Sequence, residues 1–368
     1  MRALAALTVL ALHVTVFSSP GSAPAVHVLA HLNVGVTVFF LISGFLLYRP
    51  FIAHRAGGAP AAPVRRYAWR RILRIFPAYW LVLTLLTVLP GFSGVTGGHW
   101  LSQYALLDSL ALGSGNCVEA LNKCGLAHTW SLGVEVGFYA LLPLFALVAE
   151  RLARRRSGAG WVRRELGILA LLSLISILLH LRSSGSGVTG VITGTLLGYW
   201  LWFAAGMALA VLSVGARHGA RASAWMRLVV ERPWVPWVAA LAVYGLLSAL
   251  LPPTPFLFSH FDQTVTYVGF ALVAALLMAP AVFGDRAGGM PRRFLAQPVM
   301  AWLGLVSYGI FLWHYAVVLR LGVPGSGLGF WPLLGATVAI AVACATLSYY
   351  GLERPLLRLK NRSRKVRA

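Results

Sequence analysis

The sequence predicts an all-α, polytopic membrane protein of about ten transmembrane helices with both termini in the cytoplasm. Three observations predict it. Of 368 residues, 59% are hydrophobic and only 11% charged, which leaves too little polar surface to coat a soluble globule. Ten apolar segments can be drawn, near 2–18, 33–48, 75–90, 130–149, 166–181, 195–213, 235–251, 264–282, 298–318 and 331–351. Each is close to the roughly 20 residues that span a hydrocarbon layer. With an inside start, 28 of the 31 Lys and Arg fall on the inner side, and only Lys123, Arg182 and Arg320 lie outside. That asymmetry sets the orientation. A net charge of +22 invites a nucleic-acid reading. The placement of the cations assigns them instead to topology and to anionic headgroups, so the expected partner is the bilayer and not nucleic acid.

The first segment, Arg2 to His13, is apolar except at Arg2, Thr8 and His13. Eleven positions make about three helical turns, so Arg2 and His13 share a face, roughly 16 Å apart along the axis. An ionisable group that deep is expensive and usually functional. The second segment carries Ser43-Gly44 near mid-membrane. Such a small pair lets a helix or a ligand chain approach closely, and helix packing is its commoner use. Before the third segment stand Arg65, Arg66, Arg70, Arg71 and Arg74, followed by Pro77 and the aromatic pair Tyr79-Trp80. Arg70, Arg71 and Arg74 cluster on or near one helix face, and their guanidinium groups match phosphate geometry.

The outer loop 91–128 holds Cys117 and Cys124, a pair placed where a disulfide could persist. Cys344 lies in the last segment and reads as packing. No cleavable signal peptide is expected, because the first segment lacks a small-residue cleavage site. In the fourth segment Glu135 is the one acid expected inside any span. A buried carboxylate needs a partner, and His13, also in the outer half, is one it could meet. The fifth to eighth segments read as scaffold. His314 sits toward the outer end of the ninth and reads as interfacial. From Glu353-Arg354-Pro355 a basic tail, 353–368, follows a membrane-embedded domain, 1–352.

In chain order, six pieces carry a resemblance. They are Arg2 with His13, Val38-Phe39-Phe40 through Ser43-Gly44-Phe45, Arg70-Arg71 through Arg74 to Pro77, Thr129-Trp130-Ser131 through Glu135 to Phe138-Tyr139, Ser307-Tyr308-Gly309 to His314, and Glu353-Arg354-Pro355. Together they resemble the acyltransferase 3 family of integral membrane O-acyltransferases. The resemblance implies transfer of an acyl group, often acetyl, from cytoplasmic acyl-CoA to a hydroxyl on an extracytoplasmic glycan, glycolipid or other acceptor, in a multi-pass protein of the bacterial cell membrane. His13 and Arg2 match the family's first-helix pair, and Arg71 and Arg74 its cationic motif on the CoA side.

The resemblance leaves two departures. The family usually has residues before this arginine, and its acid pair in the fourth helix is here Glu135 followed by Val136. Alcohol acylation needs a base of near-neutral pKa, which imidazole supplies. A thioester is already activated, so no metal and no permanently bound cofactor are expected. The candidate site is therefore His13, Arg2 and Glu135 for chemistry, with Arg70, Arg71, Arg74 and Ser43 for the donor. Two other classes stay open: a proton-coupled transporter or flippase using the same His and Glu as relays, and a family-like protein without activity.

Overall fold

The computed structural model describes residues 1–18, 23–57, 63–89, 100–107, 126–153, 160–182, 192–218, 223–253, 259–284, 288–323 and 327–362. Among these, regular structure is helical throughout. The main helices are α1 (Arg2–Phe17), α2 (Ala23–Ala30), α3 (Val34–Arg55), α4 (Val64–Val88), α5 (Trp130–Ala153), α6 (Gly160–Arg182), α7 (Trp200–Arg217), α8 (Ala224–Glu231), α9 (Val235–Leu250), α10 (His260–Val282), α11 (Pro298–Leu321), α12 (Phe330–Ser348) and α13 (Arg354–Arg362). Cys117 and Cys124 lie outside the described residues.

The protein is an all-α, polytopic membrane protein. Among the described residues, eight helical stretches are long and apolar enough to cross a bilayer, and α8 with α9 would make a ninth. Those two helices meet at a bend of 103°. Pro233 and Pro236 explain it, since a proline cannot continue a helix but suits the first turn of the next. α1 is apolar but has 16 residues, a rise of about 24 Å, short of a full span. With these two qualifications the ten expected segments are all present. Hydrocarbon offers the backbone no hydrogen bonds, which is why every crossing element is a helix.

The described chain forms two compact units. The first comprises Met1–Ala5, Asn33–Ala62 and Ala140–Ala301. Its centre is the crossing of α3 and α7. A Cβ on Gly44 would lie 2.2 Å from the Phe203 carbonyl oxygen, and one on Gly206 would lie 2.0 Å from that of Leu41. Only glycine permits that backbone approach. Phe40 and Phe203 stack beside it with centroids 4.5 Å apart. α10 begins in a capping box, Ser259 accepting from the Asp262 amide while Asp262 accepts from the Ser259 amide. Its far end is closed by Arg292, which donates to the carbonyls of Pro280, Phe283 and Gly288. The first two are carbonyls that the α10 terminus leaves unsatisfied, and Gly288 lies in the turn that follows.

The same unit contains a buried polar knot. Arg55 near the end of α3 pairs with Glu165 near the start of α6. Arg55 also donates to the Tyr48 hydroxyl at 2.8 Å, and Tyr48 donates to Glu165 at 2.5 Å. Glu165 and Tyr48 have no exposed surface. Glu135 is therefore not the one acid inside a span: Glu165 also lies within a crossing helix, and tertiary partners make its burial tolerable.

The second unit comprises Ala6–Leu32, Pro63–Tyr139 and Trp302–Ala368. α4 organises it. Tyr79 and Trp80 donate to the carbonyls of Gln103 and Tyr104, pinning the short helix Trp100–Tyr104. Tyr308 on α11 donates to the Ile75 carbonyl at 2.8 Å. α12 packs close to α11 at Gly309, where a Cβ would lie 2.8 Å from the Ala345 Cα. α12 ends in a π-turn, Tyr349–Glu353, before α13. The expected tail thus starts differently from its sequence reading. Glu353 is buried in the unit, and the first nine residues after it form a strongly amphipathic helix against α4.

Candidate active site

Three histidines and a tyrosine gather in the second unit. His13 comes from the last turns of α1, His314 from α11, and His128 from the 3-10 turn Ala127–Thr129 that leads into α5. His13 Nδ1 lies 2.9 Å from the Val9 carbonyl and 3.0 Å from His314 Nε2. His314 Nδ1 lies 3.1 Å from the Ile310 carbonyl. A ring centroid separation of 5.1 Å sets the two imidazoles side by side. The Tyr315 and His13 rings meet in a T-shaped contact with centroids 4.8 Å apart. His128 completes the group, 4.8 Å from His314 and 6.2 Å from His13. Neither ring nitrogen of His128 makes a hydrogen bond of ordinary geometry.

These contacts fix where protons sit. A carbonyl oxygen only accepts, so a ring nitrogen bonded to one must carry the hydrogen. In neutral form both His13 and His314 are then Nδ1–H tautomers. His314 Nε2 is bare and accepts from His13, whose Nδ1–H is shared between it and Val9. The remaining nitrogen, His13 Nε2, holds a lone pair. The arrangement can take a proton at that atom. No set of three His, Cys, Asp or Glu among the described residues is disposed to hold a metal ion, and two of the clustered rings turn their Nδ1 atoms to carbonyls.

A second polar group lies farther along the same unit. Arg65 and Arg66 at the start of α4 are exposed, while Arg70, Arg71 and Arg74 are partly buried. Arg71 lies over the Tyr139 ring, 5.8 Å from its centroid, and its Nε is buried without a hydrogen-bond partner. Tyr139 donates to Glu135 at 2.5 Å, and Tyr67 donates to the Tyr139 carbonyl. Arg74 faces Glu353 electrostatically. One Glu353 carboxylate oxygen is buried without a hydrogen bond. Tyr308 ties this region to the histidines. Its hydroxyl meets the residue after Arg74, and His314 is six residues further along α11, about 9 Å at the helical rise.

The expected site residues thus separate. His13 meets His314, His128 and Tyr315. Glu135 instead accepts from Tyr139 and acts electrostatically on Tyr67 and Tyr308, the aromatic residues around the arginines. Arg70, Arg71 and Arg74 stay together on α4. Arg2 and Ser43 belong to the first unit, where Ser43 is buried and its neighbour Gly44 serves the helix crossing. His314 is not an interfacial side chain, since none of its surface is exposed. Sequence reasoning set it aside for lying near a helix end, although His13 lies near an end of its own helix too. His128 and Glu353 were also missed, one assigned to a loop and the other to a tail.

A family model described as an acyltransferase domain matches residues 1–350. The chain belongs to the acyltransferase 3 family. It is 25% identical to a peptidoglycan O-acetyltransferase of Listeria monocytogenes, over 97% of this chain and 54% of that protein. It is 24% identical to a Bacillus subtilis protein provisionally named a peptidoglycan O-acetyltransferase, over 97% and 54%. With an exopolysaccharide production protein of Rhizobium meliloti the identity is 27%, over 91% of this chain and 92% of that one. The chain therefore spans about half the length of the two peptidoglycan relatives. No solved structure matches it.

Proposed function

We propose that this protein moves an acyl group, acetyl in the simplest case, from cytoplasmic acyl-CoA to a hydroxyl of an extracytoplasmic glycan or glycolipid. The observation that carries the reading is the partly buried His13 imidazole, held at Nδ1 so that the lone pair falls on Nε2. Family membership and the relatives' names, which specify peptidoglycan and exopolysaccharide, support the substrate class. The chain's orientation, with both termini in the cytoplasm, rests on its positive-inside asymmetry.

The steps follow from the residues. Arg70, Arg71 and Arg74 hold the phosphates of CoA by charge-assisted contacts. Glu135 acts on this side, holding Tyr139 under Arg71 rather than assisting His13. Arg2 and Ser43, both in the first unit, are given no step in this scheme. The acceptor hydroxyl gives its proton to His13 Nε2 while its oxygen attacks the thioester carbonyl. Collapse of the tetrahedral intermediate breaks the carbon–sulfur bond, and the imidazolium returns the proton to the departing thiolate. No group beyond the two substrates is needed to balance the reaction.

The test is transfer of labelled acetyl from acetyl-CoA to envelope glycan in a deletion strain carrying each variant. His13→Ala should slow transfer at least about a hundredfold at equal protein level, with CoA binding retained. Near wild-type transfer by that variant would overturn the reading.

A further inference from the structure

We propose that His314 is the positioning partner of His13, its bare Nε2 fixing the His13 ring in the orientation and tautomer that leave His13 Nε2 as the proton acceptor. The proposal rests on the reading of His13 as general base and assigns that base its orienting group. Three observations carry it. His314 is fully buried, so its polarity is not spent on water. Its Nδ1 is committed to the Ile310 carbonyl one turn back, which leaves Nε2 without a hydrogen. That Nε2 stands 3.0 Å from His13 Nδ1, a hydrogen-bond distance between atoms 301 residues apart in the chain.

The Val9 carbonyl also accepts from His13 Nδ1, but it does a different job. Val9 is on α1, so its carbonyl moves with His13 and holds the ring only relative to its own helix. His314 holds the ring to α11, the helix that carries Tyr308 against α4 beside the arginines. The orientation of the base is thereby referred to the element next to the donor cations. His314 also suits the charged state. When His13 Nε2 takes the acceptor's proton, the imidazolium keeps its Nδ1–H directed at a neutral lone pair, and the added charge is met by a dipole already in place. A hydrogen on His314 Nε2 would instead point at the His13 Nδ1 hydrogen, so the pair accommodates one extra proton and directs it to His13 Nε2. The logic is that of a base oriented through its second nitrogen, with an imidazole where serine hydrolases use a carboxylate.

Two substitutions separate this role from packing. His314→Asn keeps a donor for the Ile310 carbonyl but is too short to reach His13. His314→Gln places an amide oxygen near the position of Nε2 and restores the acceptor. Both would be purified in nanodiscs, with acetyl-CoA binding as the check on folding. We expect His314→Asn to lower the rate of labelled acetyl transfer to envelope glycan about a hundredfold at unchanged acetyl-CoA affinity, and His314→Gln to recover most of that loss. Nitrogen-15 spectra of histidine-labelled protein, assigned by difference against His13→Gln, report which ring nitrogen carries hydrogen. They should show Nδ1–H at His13 in the parent and in His314→Gln, and a mixture in His314→Asn. Equal rates for the Asn variant and the parent, or an Nε2–H tautomer at His13 in the parent, would overturn the proposal. Either result can arise while His13→Ala still abolishes transfer, so the role of His314 can fail without that of His13.

Discussion

Two buried polar clusters in this protein look alike in composition and differ in their accounting. In the first unit, Tyr48, Arg55 and Glu165 form a closed ring of bonds, in which the cation meets both other members and the hydroxyl donates to the acid. In the second, His128 and His314 are buried and His13 is partly buried, yet the tautomer of His13 leaves a lone pair on Nε2 and neither nitrogen of His128 makes a hydrogen bond of ordinary geometry. A satisfied network rigidifies and needs nothing more. A buried polar atom without a partner costs free energy that the fold must offset, and the free valences are where a substrate hydroxyl or a developing charge can bind. The comparison separates a structural cluster from a reactive one without reference to residue type.

The largest effect expected from breaking the comparison is on stability. Glu165→Ala leaves Arg55 half-buried without its counter-charge and should cost about 3–5 kcal/mol, read as a lower melting temperature in detergent. Transfer per folded molecule should be unchanged. Replacing the whole knot with Tyr48→Phe, Arg55→Met and Glu165→Leu should restore stability to at least near the parent value, because a well-packed apolar trio avoids the desolvation cost. If the triple variant folds but transfers no acetyl, the knot is functional and the comparison fails.

A smaller effect is expected at the arginines. Arg71→Ala removes one charge-assisted contact and should weaken acetyl-CoA binding by about 1–3 kcal/mol in a direct titration. Unchanged affinity in the purified variant would remove Arg71 from the donor site. The smallest effect belongs to Cys344, half-buried in α12. Cys344→Ala should alter stability by no more than about 0.5 kcal/mol and leave transfer intact, as a residue outside both clusters should.

The two clusters also show how much was legible in the sequence. Apolar run length and the distribution of Arg and Lys determined the all-helical membrane class, because lipid dictates both rules locally, one segment at a time. The Arg70, Arg71 and Arg74 cluster and the singular position of His13 were legible for the same reason, since each lies within one helix and follows its period. The two weakest spans, α1 and the bent α8–α9 pair, were drawn at full strength because hydropathy does not register a proline-set bend or a helix about 24 Å long. Everything that depends on partners was decided by tertiary structure alone. Glu165 is tolerable in a span because Arg55 is 110 residues away in sequence and adjacent in space. Glu353 turns inward because a π-turn redirects the chain after α12. His13 meets His314 and His128 because two helices and a 3-10 turn, far apart in the chain, converge within one unit. A hydrogen bond between residues 301 positions apart leaves no trace in the period of either helix, so sequence could nominate the base while only the fold could choose what orients it.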